Sequence, residues 1–274
     1  MLTAVDITNT RSDTLHLSLM DPSAGYVIRG IDGLDPVDAA LTTSALAQVD
    51  GAQPQNARRD IRNITMKLGL KPDYVSTTVQ SLRSNLYRYF LPKANVTLGF
   101  YLDGVLYVVS SGQVESCKNA MFSADPEVDI SIVCYDPDFY GPAAETISTH
   151  TQSDYLTTRA IQYEGSSDAG FIFTLNVDRA ITGFTIKNTT PDNTVNTFEV
   201  LGSFISGDVI TINTIPGSKA LTLTRAGVTT SVLYYKNILS TWPILQAGIN
   251  QFGAFAAGAG IGYTLTYTPK YGGL

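Results

Sequence analysis

The chain has 274 residues, enough for two ordinary domains with separate cores. Hydrophobic residues make up 44% and charged residues only 15%, with a formal net charge of −6. An acidic chain whose aromatics are not interleaved with its bases lacks the footprint of a nucleic-acid-binding protein. Spanning a bilayer takes roughly 20 consecutive apolar residues, and no stretch approaches that, the small-residue tract Ala247 to Gly262 included. The N-terminus lacks the basic-then-apolar pattern of a secretory signal, so synthesis and folding are expected in the cytoplasm.

Strands come first. Leu15, Leu17 and Leu19 alternate with polar residues, as do Ile64, Met66 and Leu68, the period of a half-buried strand. The period then changes: Val75, Val79, Leu82, Leu86 and Phe90 recur every three or four residues, which predicts a helix with Arg83, Asn85 and Arg88 outside. Thr77 followed by Gln80 suits a capping box, and Pro92 stops the helix. Val96, Leu98, Phe100 and Leu102 alternate up to Asp103-Gly104, a dipeptide suited to a type I′ hairpin, and Val105 and Tyr107 resume. A strand from Val128 to Cys134 ends at Asp136-Pro137.

The segment Gly141 to Ser153 has no sustained apolar period and reads as a linker. Beyond it the strand pattern restarts at Phe171–Leu175, Phe184–Ile186, Val209–Ile212 and Leu221–Thr224. Val232–Tyr235 is expected to pair back across Ala226-Gly227, and Tyr263, Leu265 and Tyr267 complete the set. Short strands at close intervals without a long helix imply a β-sandwich.

Chemistry is sparse. There are two histidines: His16 among alternating leucines and His150 in the expected linker. No nucleophile elbow, phosphate-cradling glycine loop or zinc helix occurs. Asp32, Asp35 and Asp38 lack the donor spacing of a calcium loop and read better as turn formers. Cys117 and Cys134 are too few for a disulfide framework and have no zinc spacing, so both are expected as free thiols. No catalytic residue, metal ligand or cofactor site is assigned, and the chain is not expected to be an enzyme.

Charge is segregated. Up to Glu145 there are 17 acids and 11 bases; the remainder holds 7 of each. Bases cluster at Arg58, Arg59, Arg62, Lys67, Lys71, Arg83, Arg88 and Lys93, flanked by acidic segments at Asp32 to Asp50 and Asp125 to Asp138. Two readings stay open: internal neutralisation, or a head-to-tail subunit interface drawing on Arg58, Arg59, Arg62, Arg83 and Arg88.

The order of several segments carries a resemblance. The run Tyr26 to Pro36 leads to Leu41–Ser44, Asp50-Gly51, the paired Arg58-Arg59 and Ile61–Ile64. The helix closed by Phe90-Leu91-Pro92-Lys93, then Gly112–Ser116 and Ile130–Pro137, follow. In the second half come Gly207–Thr214 and Trp242–Asn250. Together they resemble the distal tail proteins of long-tailed bacteriophages. The resemblance implies a mostly-β chain, with a ring-forming belt domain with one α-helix over 1–143 and a galectin-like β-sandwich over 144–274. It further implies a structural virion protein forming a six-copy ring at the distal end of a non-contractile tail. The implied partners are further copies of itself, the tail tube protein, the tail-tip hub or tail-associated protein, and a receptor-binding or side-fibre protein. No membrane or sequence-specific nucleic-acid partner is implied. A galectin-like sandwich leaves a second reading open, a host-adhesion protein that binds carbohydrate, and a third, a polysaccharide-cleaving tail enzyme. Trp242 is followed by Pro243 and lacks the polar signature around a galectin's stacking tryptophan, which favours a packed role for it.

Overall fold

A computed structural model describes residues 1–19, 21, 24–45, 50–119, 125–154 and 157–274. The chain divides into two compact units, one of Met1–Pro142 with Tyr271–Leu274 and one of Ala143–Lys270. Residues 271–274, expected in the second domain, thus group with the first unit. There Tyr271 packs on the core, and the Leu274 amide donates to the Leu34 carbonyl at 3.0 Å.

In chain order the first unit holds strands β1 (Leu2–Asn9), β2 (Thr14–Ser18), β3 (Tyr26–Asp32), β4 (Ala39–Ser44), β5 (Gln53–Arg59) and β6 (Arg62–Leu70). Helix α1 (Val79–Tyr87) follows, then β7 (Asn95–Leu102), β8 (Val105–Asn119), β9 (Glu127–Cys134) and β10 (Phe139–Tyr140). Its main sheet is antiparallel in the order β2-β1-β7-β8-β9-β6-β3, with β10 against β8. Alternation sets the faces: Ile64, Met66 and Leu68 of β6 are buried, whereas Asn63 and Lys67 point out. The same period buries Val128, Ile130, Ile132 and Cys134 of β9. A slip of one residue would expose each of these rows. Asp103 and Gly104 take φ of 50° and 83°, the two positive values a type I′ turn requires, and Leu102 pairs directly with Val105.

The helix lies where its period put it, with two differences. The capping box is one residue later than expected: Thr78 Oγ1 accepts from the Ser81 amide at 3.1 Å, and Ser81 Oγ accepts from the Thr78 amide at 2.9 Å. Thr77 is engaged elsewhere, its hydroxyl donating to Asp73 Oδ1 at 3.0 Å. Arg83, expected outside, is buried beside Leu82 and Leu86. It follows Val79 by four residues and precedes Leu86 by three, so it borders the apolar stripe. Val75 precedes the cap, where helical periodicity has no force, and is 95% exposed.

The second unit is a β-sandwich. Its strands are β11 (Glu145–His150), β12 (Arg159–Tyr163), β13 (Ile172–Asn176), β14 (Ile181–Thr189), β15 (Val195–Phe204) and β16 (Val209–Asn213). Then come β17 (Ala220–Arg225), β18 (Val228–Ser231), β19 (Gly248–Ala256) and β20 (Gly262–Tyr267); the short β21 (Lys270–Tyr271) that follows is not a strand of the sandwich but pairs with β10. A six-stranded sheet, β11-β20-β13-β16-β17-β18, faces a four-stranded one, β12-β19-β14-β15, among the described residues. Both inner faces feed one core, where Phe173 of the first sheet stacks on Phe184 of the second at 6.1 Å and approaches Phe252 at 6.3 Å.

Two sequence expectations are corrected here. Residues 145–150 are a strand, not a linker: β11 pairs along its length with β20, as an edge strand whose Ile147 packs on the core. Val232–Tyr235 is not a strand either. Ala226 and Gly227 form a two-residue turn with φ of 50° and 80°, so pairing resumes at once with Val228 opposite Arg225. By Val232 the strand is spent, and Leu233–Tyr235 form a 3₁₀ turn.

One buried carboxylate is expected to make the sandwich acid-sensitive. Asp208, 1% exposed, accepts from Arg225 Nε at 2.7 Å and Nη2 at 2.6 Å, and from the Ile205 amide at 2.9 Å. The Arg225 bonds hold its pKa below the ordinary carboxylate value. A depressed folded pKa stabilises fully above the unfolded value of about 3.9, and that stabilisation is lost as pH falls through the lower folded value. Asp208→Asn should therefore lower Tm at neutral pH and flatten the fall of Tm below about pH 4. Parallel Tm–pH curves for variant and wild type would rule out this carboxylate as a source of the acid sensitivity.

Candidate assembly surface

Strands β4 and β5 pair with each other and with no other strand of the described residues. Ala39 lies opposite Arg59, Leu41 opposite Ala57 and Ser44 opposite Gln53, with a bulge between Thr42 and Thr43. Every residue of the pair is exposed except half-buried Ser44, and Leu41 is 71% exposed. Sequence supports such a ribbon poorly as an isolated element: alanine, threonine and glutamine give it no apolar face, and Pro54 donates no ladder hydrogen bond.

The base of the ribbon is firmly held. Arg59 forms a forked pair with Asp138, at 2.5 Å to Oδ1 and 3.0 Å to Oδ2, and Asp138 is buried. Arg62 is wholly buried. Its guanidinium donates to four carbonyls: Pro137 at 2.8 Å, Gly33 at 2.6 Å, Asp35 at 2.7 Å and Gly272 at 2.6 Å. It also lies 4.2 Å from the Phe139 ring centroid. Burial lowers the Arg62 pKa from its usual value, with Cys134 and Asp138 opposing the shift. Gly33 takes φ of 85°, and a Cβ there would fall 2.0 Å from the Asn63 carbonyl oxygen, so only glycine brings its own carbonyl to Arg62.

The five arginines singled out in the sequence therefore separate. Arg58, Arg59 and Arg88 keep exposed side chains, Arg58 beside Asp60 at 3.2 Å and Arg88 3.7 Å from Asp13. Arg62 and Arg83 are enclosed by their own unit and offer no surface to a neighbour. Much of the charge segregation is neutralised internally, because the β6–β9 register sets the basic block against the acidic one. Lys67 reaches Glu127 at 3.3 Å, and Arg29 reaches Asp125 at 2.5 Å. Sequence reasoning missed the ribbon, whose residues lack an apolar period. It also missed a braced loop before α1, where Asp73 accepts from the Val75, Ser76 and Thr77 amides at 3.0, 2.9 and 2.7 Å. The Asp-x-x-Ser-Thr spelling of that loop was the available signal.

In the second unit Trp242 packs against Phe198, with centroids 4.8 Å apart, and borders the core. Cys117 is half-buried and Cys134 buried, both as free thiols. Burial pushes the Cys117 thiol up to about 11.

Residues 164–271 match the family model of the siphovirus-type tail component, C-terminal domain. The second unit thus resembles that family's C-terminal domain. Among solved structures the chain resembles the crystal structure of the phage SPP1 Dit (gp 19.1) protein, described as a paradigm of the hub adsorption apparatus in phages infecting Gram-positive bacteria. The identity is 14% and the TM-score 0.67, with 97% of this chain and 98% of that chain covered, a likeness of fold. The baseplate of phage P2 in its activated conformation with Ca matches more loosely, at 10% identity and a TM-score of 0.47, over 97% of this chain and 98% of that one. The comparison with curated proteins returns no match.

Proposed function

We propose that this chain is a phage tail component that closes into a six-copy ring at the distal end of a non-contractile tail. The ring joins tail tube to tail tip and is the hub on which adhesion components assemble. Its first unit forms the ring, and Arg58, Arg59 and Arg88 lie on surfaces that neighbouring copies approach. The observation that carries the reading is the β4–β5 ribbon. A two-stranded ribbon without a buried residue is marginal in water, so a neighbouring chain is what gives it a reason to persist. A ring of identical copies needs two different surfaces on each, and a projecting ribbon supplies one of them. The likeness of fold to a hub protein of the adsorption apparatus supports the same reading.

Replacing residues 40–58 by a short Gly-Ser link, which spares the Arg59–Asp138 pair, should leave a folded chain that no longer forms rings. Negative-stain imaging and light scattering of wild type and deletion, side by side, make the test. Rings of unchanged size from the deletion would remove the ribbon from the interface, and a glycan array with strong, specific hits would favour the carbohydrate-binding alternative.

A further inference from the structure

The loop before α1 is built to present two apolar side chains. Tyr74 is 77% and Val75 95% exposed. Asp73 braces the loop: besides the three amides, its carboxylate accepts from the hydroxyls of Ser76 and Thr77. Tyr74 sits at φ of 57°, with its amide bonded to the Thr77 carbonyl at 3.1 Å. A bulky residue at positive φ persists only where its surroundings fix it. The loop is thus rigid before it meets anything, and a preorganised tyrosine loses little freedom on burial.

The other end of the same helix carries a recess of about 360 Å³, lined by Thr10, Arg11, Ser84, Tyr87, Leu91 and Ala94 among others. Leu91 is 57% and Tyr87 36% exposed, so its floor is partly apolar. Arg11 and Arg88 stand at its rim, with Asp13 3.7 Å from Arg88. The loop bears a carboxylate, Asp73, which its hydrogen bonds hold ionised well below the ordinary range. Nine helical residues separate knob from recess, a rise of roughly 14 Å.

We infer that the Tyr74-Val75 knob of one copy seats in the Tyr87–Leu91 recess of the next copy, with Asp73 facing the Arg11 and Arg88 rim. Different surfaces at the two ends of one helix, a carboxylate at one and two guanidiniums at the other, make the heterologous contact that closes a ring rather than a two-fold dimer. The inference rests on the ring reading and adds a second contact between copies, apart from the ribbon.

Cross-linking tests it. Tyr74→Cys and Leu91→Cys variants of the full chain are mixed under mild oxidation, alongside each alone, while light scattering follows oligomer mass. Native thiols contribute little, since Cys134 is buried and the Cys117 thiol is pushed up to about 11. Disulfide-linked dimers from the mixture alone, and a ladder from the double variant, are expected. Oligomers without that cross-link would overturn the contact and leave the ring standing; a monomer without it would overturn both. As a second readout, Tyr74→Gly, which relieves the positive φ and so keeps the fold, should weaken self-association by roughly thirtyfold. Unchanged self-association in that variant would also overturn the contact.

Discussion

Arg62→Ala is expected to destabilise the first unit by about 3–5 kcal/mol, the range for removing one partner of a buried charged network. The guanidinium satisfies four carbonyls with no solvent exposure of its own, and its loss leaves those acceptors enclosed without a donor. Against a domain stability of about 5–15 kcal/mol, that is a large fraction. Arg62→Lys should fare little better, because a single ammonium cannot reproduce a planar fork spread over four directions. Urea unfolding of both variants provides the measurement. A loss under about 1 kcal/mol in the alanine variant would show that water or rearranged backbone satisfies the carbonyls equally well.

Phe173→Ala should cost the sandwich a similar amount, about 3–5 kcal/mol. The ring is fully buried and meets Tyr263 at 4.9 Å on its own sheet and Phe184 and Phe252 on the facing one. Truncation removes the transfer free energy of the ring and leaves a cavity between two sheets whose backbones are held by their own ladders. Phe173→Leu, which retains most of the volume, should recover much of the loss. Equal unfolding midpoints for wild type and the alanine variant would mean that the two sheets close over the gap.

The first unit's strands were legible because one face of its main sheet is buried and the other is not, so Ile64, Met66 and Leu68 alternate cleanly with polar neighbours. Hairpin dipeptides were equally plain, since Asp103-Gly104 and Ala226-Gly227 announce turns that need positive φ. Edge and small-residue strands were not legible. In β11 only Ile147 packs on the core, so its sequence reads as a loop, while the identity of a strand there is set by its ladder to β20. The arginines singled out as candidate interface residues divided for a related reason. A linear sequence shows that Arg58, Arg59 and Arg62 share one basic run, but not that Arg62 turns inward while Arg58 stays in water. Burial of a cation depends on acceptors 27 to 210 residues away, which no local pattern records.

That longest separation bears on synthesis. The Gly272 carbonyl is an Arg62 acceptor, and Tyr271 packs on the first core, yet both are translated after the whole sandwich. The first unit emerges from the ribosome first but is completed last. During elongation Arg62 holds three of its four acceptors, and the sandwich can finish folding while its predecessor waits for a few residues.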